Sequence, residues 1–230
     1  MKEYLKNWVT VLNLSKWINN QSLRTVSEIL QDILWDYPYS YAYLSGGMIA
    51  QELVDNKKLW ADILTNNTQI GGILKNLFLS KSLDIHLRIW NPKNTELYAA
   101  LKNIVAMILG YYEGAWAGAS TLWYYFSILL TEIQWVILLL KWDKKIDFTD
   151  FAFSGDLIAT CFGNSRNRFL GNMLGAWKDI DDALHDLREQ NKIAEGYETL
   201  QWVYKLTQWK QWFDTINTFW EKYCNFSTKF

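Results

Sequence analysis

Residues 202–223 read WVYKLTQWKQWFDTINTFWEKY, and the spacing inside this stretch sets the expected fold. Trp202, Leu206, Trp209, Phe213, Ile216, Trp220 and Tyr223 recur at steps of four and three, which places them on one face of a helix. Trp212 and Phe219 widen that face beyond the narrow stripe of branched aliphatics used by a two-stranded coiled coil. The stretch therefore reads as a long C-terminal aromatic helix, the packing wall of a bundle. Met173, Trp177, Ile180, Leu184 and Leu187 carry the same rhythm upstream and form its expected neighbour.

The rest of the chain extends the helical theme. Pro38 and Pro92 are the only prolines in 230 residues, so long stretches are free of the strongest helix breaker. Leu5, Trp8, Val9 and Leu12 predict a short first helix that ends near Asn19-Asn20. Thr25-Val26-Ser27-Glu28 has capping-box spacing and precedes a stripe of Val26, Ile29, Leu30, Ile33 and Leu34. Further helical patches are expected over 44–54, 59–64 and 70–79. Residues 95–142 read as two apolar helices joined around Glu113 to Gly118, a buried helical hairpin. Centred on Ala117, this hairpin sets Lys102 opposite Glu132 and predicts a buried ion pair, because either charge alone in an apolar interior is costly.

One stretch breaks the pattern. Leu83-Asp84-Ile85-His86-Leu87-Arg88-Ile89 alternates apolar and polar, as a half-buried strand does. Ile146-Asp147-Phe148 repeats this briefly, so a small ribbon pairing 83–90 with 145–153 is expected. The predicted fold is predominantly all-α, a multi-helix bundle in a single domain, 1–230, with a subdivision into 1–92 and 93–230.

Composition excludes several functions. Half the residues are hydrophobic and the net charge is -1, with a pI of about 6.1, so neither disorder nor a general nucleic-acid surface is expected. Cys161 and Cys224 have no metal or redox spacing. The start, Met1 to Lys6, leads into a short apolar run without a cleavage site, and a soluble, intracellular protein without signal peptide is expected. Thr121 to Leu140 holds one formal charge, Glu132, in twenty residues. That length suits a membrane helix, and a hairpin, 95–142, that enters lipid is the alternative.

Candidate chemistry is sparse. Gly163-Asn164-Ser165-Arg166-Asn167-Arg168 precedes a helix, and Ser165, Arg166 and Arg168 are the anion-binding candidates. The loop has no Gly-Lys-Ser/Thr element, so it is not a Walker loop. Asp181, Asp182, His185 and Asp186 are metal candidates by helical spacing, but Ile180, Leu184 and Leu187 define the buried face, which leaves the acids on a solvated one. Glu52-Leu53-Val54-Asp55 resembles half of a Mg²⁺ motif of helical nucleotide pyrophosphohydrolases. Ile49 replaces its preceding acid, and Asn103-Ile104-Val105-Ala106 lacks both acids of a second motif. No catalytic residue set, metal or cofactor is called for. The expected function is a non-catalytic structural or interaction protein that forms homo-oligomers through its aromatic faces, with viral origin a compatible setting. Beyond the membrane alternative stands a helical enzyme or ligand-binding protein with an interhelical pocket.

Overall fold

A computed structural model describes residues 4–5, 8–19, 22, 24–89, 92–141 and 151–224. The chain divides into two units, one formed by 1–99 with 147–156, the other by 100–146 with 157–230.

The first unit overturns the all-α expectation. Its centre is a four-stranded sheet in the order β1 (Val9–Asn13), β2 (Tyr39–Ser45), β3 (Leu59–Thr65), β4 (Leu83–Ile89). β1 runs parallel to β2, β2 antiparallel to β3, and β3 parallel to β4. The helices α1 (Val26–Ile33), α2 (Ala50–Val54) and α3 (Thr68–Phe78) lie between the strands in sequence, so the unit is mixed α/β. Three expected elements change identity. The first short helix is β1, most of the 44–54 helix is strand and turn, the 59–64 helix is β3, and only 70–79 is helical as read. The cause is burial. Six of the seven β3 residues are buried, and a strand covered on both faces shows an apolar run rather than alternation.

β4 does alternate and is a strand, but its partner is β3. Of the ribbon segment 145–153, residues 145–150 lie outside the described residues, and Phe151–Gly155 is a π-helical turn. One sheet face packs Ala42, Leu44, Ala61, Ile63 and Ile85 against Leu74 of α3. The other carries Tyr43 and Leu64 and is covered by Ala99 and Ala152. There the Asp62 carboxylate, fully buried, accepts a 2.9 Å bond from the Ala152 amide.

The second unit is helical. α4 (Lys93–Gly114) starts in the first unit and continues through the second, where 101–110 are buried without interruption. Around it lie α5 (Ala119–Lys141), α6 (Asp156–Phe162), α7 (Arg166–Gly175), α8 (Ile180–Glu189), α9 (Glu195–Thr207) and α10 (Asp214–Tyr223). The hairpin of α4 and α5 exists, with Tyr112 stacked on Tyr125 at 3.6 Å, but it is not wholly buried. Trp123, Tyr124, Trp135 and Leu139 of α5 are exposed. Ala119–Leu140 is long and apolar enough to cross a membrane, and 28% of its window is buried.

α4 and α7 touch backbone to backbone. A β-carbon on Gly110 would lie 2.2 Å from the Arg168 carbonyl oxygen, and one on Gly114 2.3 Å from that of Asn172. Reciprocally, Gly171 and Gly175 press on the carbonyl oxygens of Met107 and Tyr111 at 1.8 and 2.0 Å. Residue numbers rise together along both helices, so they run in the same direction. Only glycine permits this approach.

The expected long C-terminal helix is broken. α9 ends at Thr207 and α10 starts at Asp214, which turns Trp209 (88% exposed) and Trp212 (73% exposed) into solvent. Trp202, Phe213, Ile216, Phe219 and Trp220 are buried, while Leu206 and Tyr223 are half-buried. The break is held from a distance. Glu132 of α5 accepts bonds from the Thr215 and Ile216 amides, both at 2.9 Å, and so caps α10. The Lys102–Glu132 pair is thereby corrected: Glu132 serves a helix N-terminus, and Lys102 bonds elsewhere.

Burial pushes the Glu132 carboxyl up from its ordinary 4.5, against the opposing effect of the two amide bonds. A folded-state pKa above the unfolded one means that the folded protein holds this proton more tightly. The contribution to stability is then complete below about pH 4.5 and is lost as pH rises through the raised value. Glu132→Gln should remove this slope. Denaturant midpoints of both proteins across that range test it, and parallel curves would refute it.

Candidate active site

Lys102 and Asn103 are polar residues inside the most buried stretch of α4, each 5% exposed. A lysine there needs a partner, because an unsatisfied buried ammonium is very costly. Its Nζ donates to Thr160 Oγ1 of α6 at 2.6 Å. Asn167 of α7 is also buried, and its Oδ1 accepts a 2.8 Å bond from the Gly196 amide. A β-carbon at Gly196 would lie 2.8 Å from both Asn167 Oδ1 and the Asn103 carbonyl oxygen. The glycine contacts between α4 and α7 thus bring the start of α7 beside the turn of α4 that carries Asn103.

α7 opens with Ser165 as N-cap, accepting from the Arg168 amide at 3.5 Å. The three anion candidates have different employment. Arg168 Nη1 donates to the carbonyls of Gly163 at 3.2 Å and Phe162 at 3.3 Å, and Nη2 pairs with Glu113. It is a clamp on the loop. Arg166 is exposed at the first position of α7. Arg166, Arg168 and Lys192 line one cavity of about 430 Å³ with Ser165, Phe169 and Asn172. A guanidinium beside free helix-terminal amides suits a phosphate.

α6 also begins with a buried acid. Asp156 is 3% exposed and pairs with Lys16 at 2.8 Å. Lys16 stands three residues beyond β1, and Asp156 directly follows the π-helical turn. Asp156 and Thr160 are four residues apart, hence one turn apart on one face of α6.

The metal candidates do not assemble. Asp181, Asp182 and His185 are exposed on α8, and Asp186 pairs with Lys178. Among the described residues no three such side chains are placed to share a cation. Asn103 and Thr160, both in the helical unit, carry no local pattern that marks them as site residues. Lys102 was marked by its charge in an apolar helix, and a buried asparagine following it was the further signal.

The chain thus joins a mixed α/β unit to a helical unit that carries a buried lysine, and comparisons with known proteins give its family. The family profile described as NAD-dependent glycerol-3-phosphate dehydrogenase C-terminus matches residues 92–219, and that of the N-terminus matches 1–70. The first covers more than half of the chain, which belongs to the NAD-dependent glycerol-3-phosphate dehydrogenase family. It is 28% identical over 207 residues to a chloroplastic glycerol-3-phosphate dehydrogenase [NAD(+)] of Arabidopsis thaliana, covering 90% of this chain and 48% of that protein. To a glycerol-3-phosphate dehydrogenase [NAD(P)+] of Leptospira biflexa it is 30% identical, over 86% of this chain and 59% of that one. The chain spans about half the length of these relatives.

Among solved structures, glycerol-3-phosphate dehydrogenase of Coxiella burnetii aligns with a TM-score of 0.82 at 23% identity, covering 96% of this chain and 67% of that one. DsGPDH of Dunaliella salina gives 0.79 at 21%, over 91% and 41%. The fold is thus a Rossmann-like unit with a helical C-terminal unit. The expectation of a non-catalytic structural protein, with its viral setting and its membrane-inserting alternative, is overturned by membership of an enzyme family.

Proposed function

We propose that this chain binds glycerol 3-phosphate and supplies the proton-transfer group of its oxidation to the ketone. The buried Lys102 amine carries the proposal, held by Thr160 in a chain of this family. Oxidising a secondary alcohol removes a proton from the hydroxyl and a hydride from its carbon. The amine takes the proton, and returns it when the ketone is reduced, as a positioned general base and acid. Thr160 fixes the direction of Lys102, and the exclusion of water around α4 strengthens the amine's hold on a developing alkoxide. Arg166 and the first amides of α7 hold the phosphate.

In this family a nicotinamide dinucleotide supplies the hydride acceptor. Its pyrophosphate requires a Gly-x-Gly-x-x-Gly turn between strand and helix, and the 230 residues contain none. Gly46 and Gly47 after β2 do not substitute, because a β-carbon at Gly46 would lie 2.5 Å from the Trp60 carbonyl oxygen. That turn is closed against β3. The described residues do not form the cradle.

Calorimetric titration with glycerol 3-phosphate tests the binding directly. Arg166→Ala should weaken it about tenfold or more, the usual effect of losing a charged hydrogen bond, and glycerol should bind far more weakly than its phosphate. Equal affinity in wild type and variant would remove Arg166 from the site. No binding at all would sink the proposal.

A further inference from the structure

We infer that Glu96 is a positioning residue that sets the Lys16–Asp156 pair, acting through the side-chain amide of Asn13. Glu96 lies in the first turn of α4 and is 2% exposed. A carboxylate so deeply buried must find donors for both oxygens, and it does. Oε1 accepts from Asn13 Nδ2 at 3.2 Å and from the Tyr41 hydroxyl. Oε2 accepts from Ser27 Oγ at 2.6 Å and from the Ser27 amide at 3.2 Å. The Ser27 amide belongs to the first turn of α1, where a helix favours negative charge. Burial, reinforced by the carboxylate beside it, pushes the Tyr41 hydroxyl far above the phenol range, which keeps it a donor.

The polarity of this cluster propagates. With Nδ2 committed to Glu96, Asn13 presents Oδ1 to the turn after β1. There it accepts from the Ser15 amide at 2.9 Å and from Ser15 Oγ at 2.7 Å. The next residue is Lys16, whose Nζ reaches Asp156. Asp156 opens α6, and one turn later that helix presents Thr160, the partner of Lys102. The carboxylate, as acceptor only, fixes which way Asn13 faces. A glutamine at 96 would direct an NH₂ group at Asn13 or at Ser27, donor against donor, and Asn13 would lose its reason to offer Oδ1 to Ser15.

The catalytic consequence rests on the dehydrogenase proposal, but the positioning itself is read without turnover. Lysine acylation rates, followed residue by residue by mass spectrometry on the whole chain, report how firmly each amine is held. In Glu96→Gln, Lys16 should react about tenfold faster, as expected when a charged hydrogen-bond network loses an acceptor, while Lys58, exposed, stays constant. Ser15→Ala, at an exposed position that tolerates change, should accelerate Lys16 in the same direction by about fivefold. An unchanged Lys16 rate in folded Ser15→Ala, or in folded Glu96→Gln, overturns the inference. Failure of wild type to bind glycerol 3-phosphate would refute the dehydrogenase proposal and leave the Lys16 rates equally readable.

Discussion

Gly171→Ala should unfold the helical unit at a markedly lower temperature than wild type. The added methyl would sit 1.8 Å from the Met107 carbonyl oxygen and 2.8 Å from the Tyr111 nitrogen. Both obstacles are backbone, so no side chain can swing aside. The helices must separate by an ångström or more, which also opens the reciprocal contacts at Gly110, Gly114 and Gly175. Overpacking of this kind costs about 3 kcal/mol, a fall in Tm of roughly 6–12 °C for a chain of this size. Gly72→Ala is the control. It stands in α3 with nothing within 4 Å of the new methyl, and replacing a helical glycine there should stabilise by up to about 1 kcal/mol. Differential scanning calorimetry of both variants reads the contrast. A Gly171→Ala protein melting with wild type would mean that α4 and α7 do not meet at this seam.

Lys102→Met should leave the fold standing and loosen the hold on the alcohol. Methionine keeps most of the side-chain volume and ends the need to bury an ammonium, so stability should hold or rise. Glycerol 3-phosphate should bind about tenfold more weakly, the usual effect of losing a charged hydrogen bond, here to its 2-hydroxyl, while inorganic phosphate, carried by Arg166, should bind as it does to wild type. The two titrations separate an amine that meets the substrate from one that merely fills space. Undiminished affinity for glycerol 3-phosphate in a folded Lys102→Met protein would dismiss the lysine from the site.

The sequence was most legible where one surface of an element is wet. The stripe of α1 is such a case, with the Thr25 amide bonded to Glu28 at 2.9 Å as the capping box requires. So is the alternation of β4. Where both faces are covered, the period vanishes. β3, Leu-Trp-Ala-Asp-Ile-Leu-Thr, shows neither helix nor strand rhythm. Tyr39-Ser40-Tyr41-Ala42-Tyr43 did carry a strand signal in its alternating tyrosines, but it sat beside a glycine pair and a helical patch. The end of α9 was invisible for a different reason, since the carboxylate that caps α10 is 83 residues away in sequence. In the site, the loop before α7 announced itself by its arginines. Lys102 announced itself by its charge, although its partner is a threonine on α6, which no local pattern identifies. Around Asn103 the sequence shows only missing acids, and nothing local marks the asparagine itself.

The chain passes from the first unit to the second after Ala99, returns at Asp147 and leaves again after Asp156. No single cut therefore releases either unit intact. Severing the chain after residue 99 would strip the sheet of Ala152, whose amide meets the buried Asp62 carboxylate, and of Asp156, the partner of Lys16. During ribosomal synthesis the sheet must wait, with Asp62 uncovered, until more than fifty further residues have been added. Its completion is tied in time to the helices that carry Lys102, and an arrested nascent chain shorter than residue 156 holds an unfinished first unit.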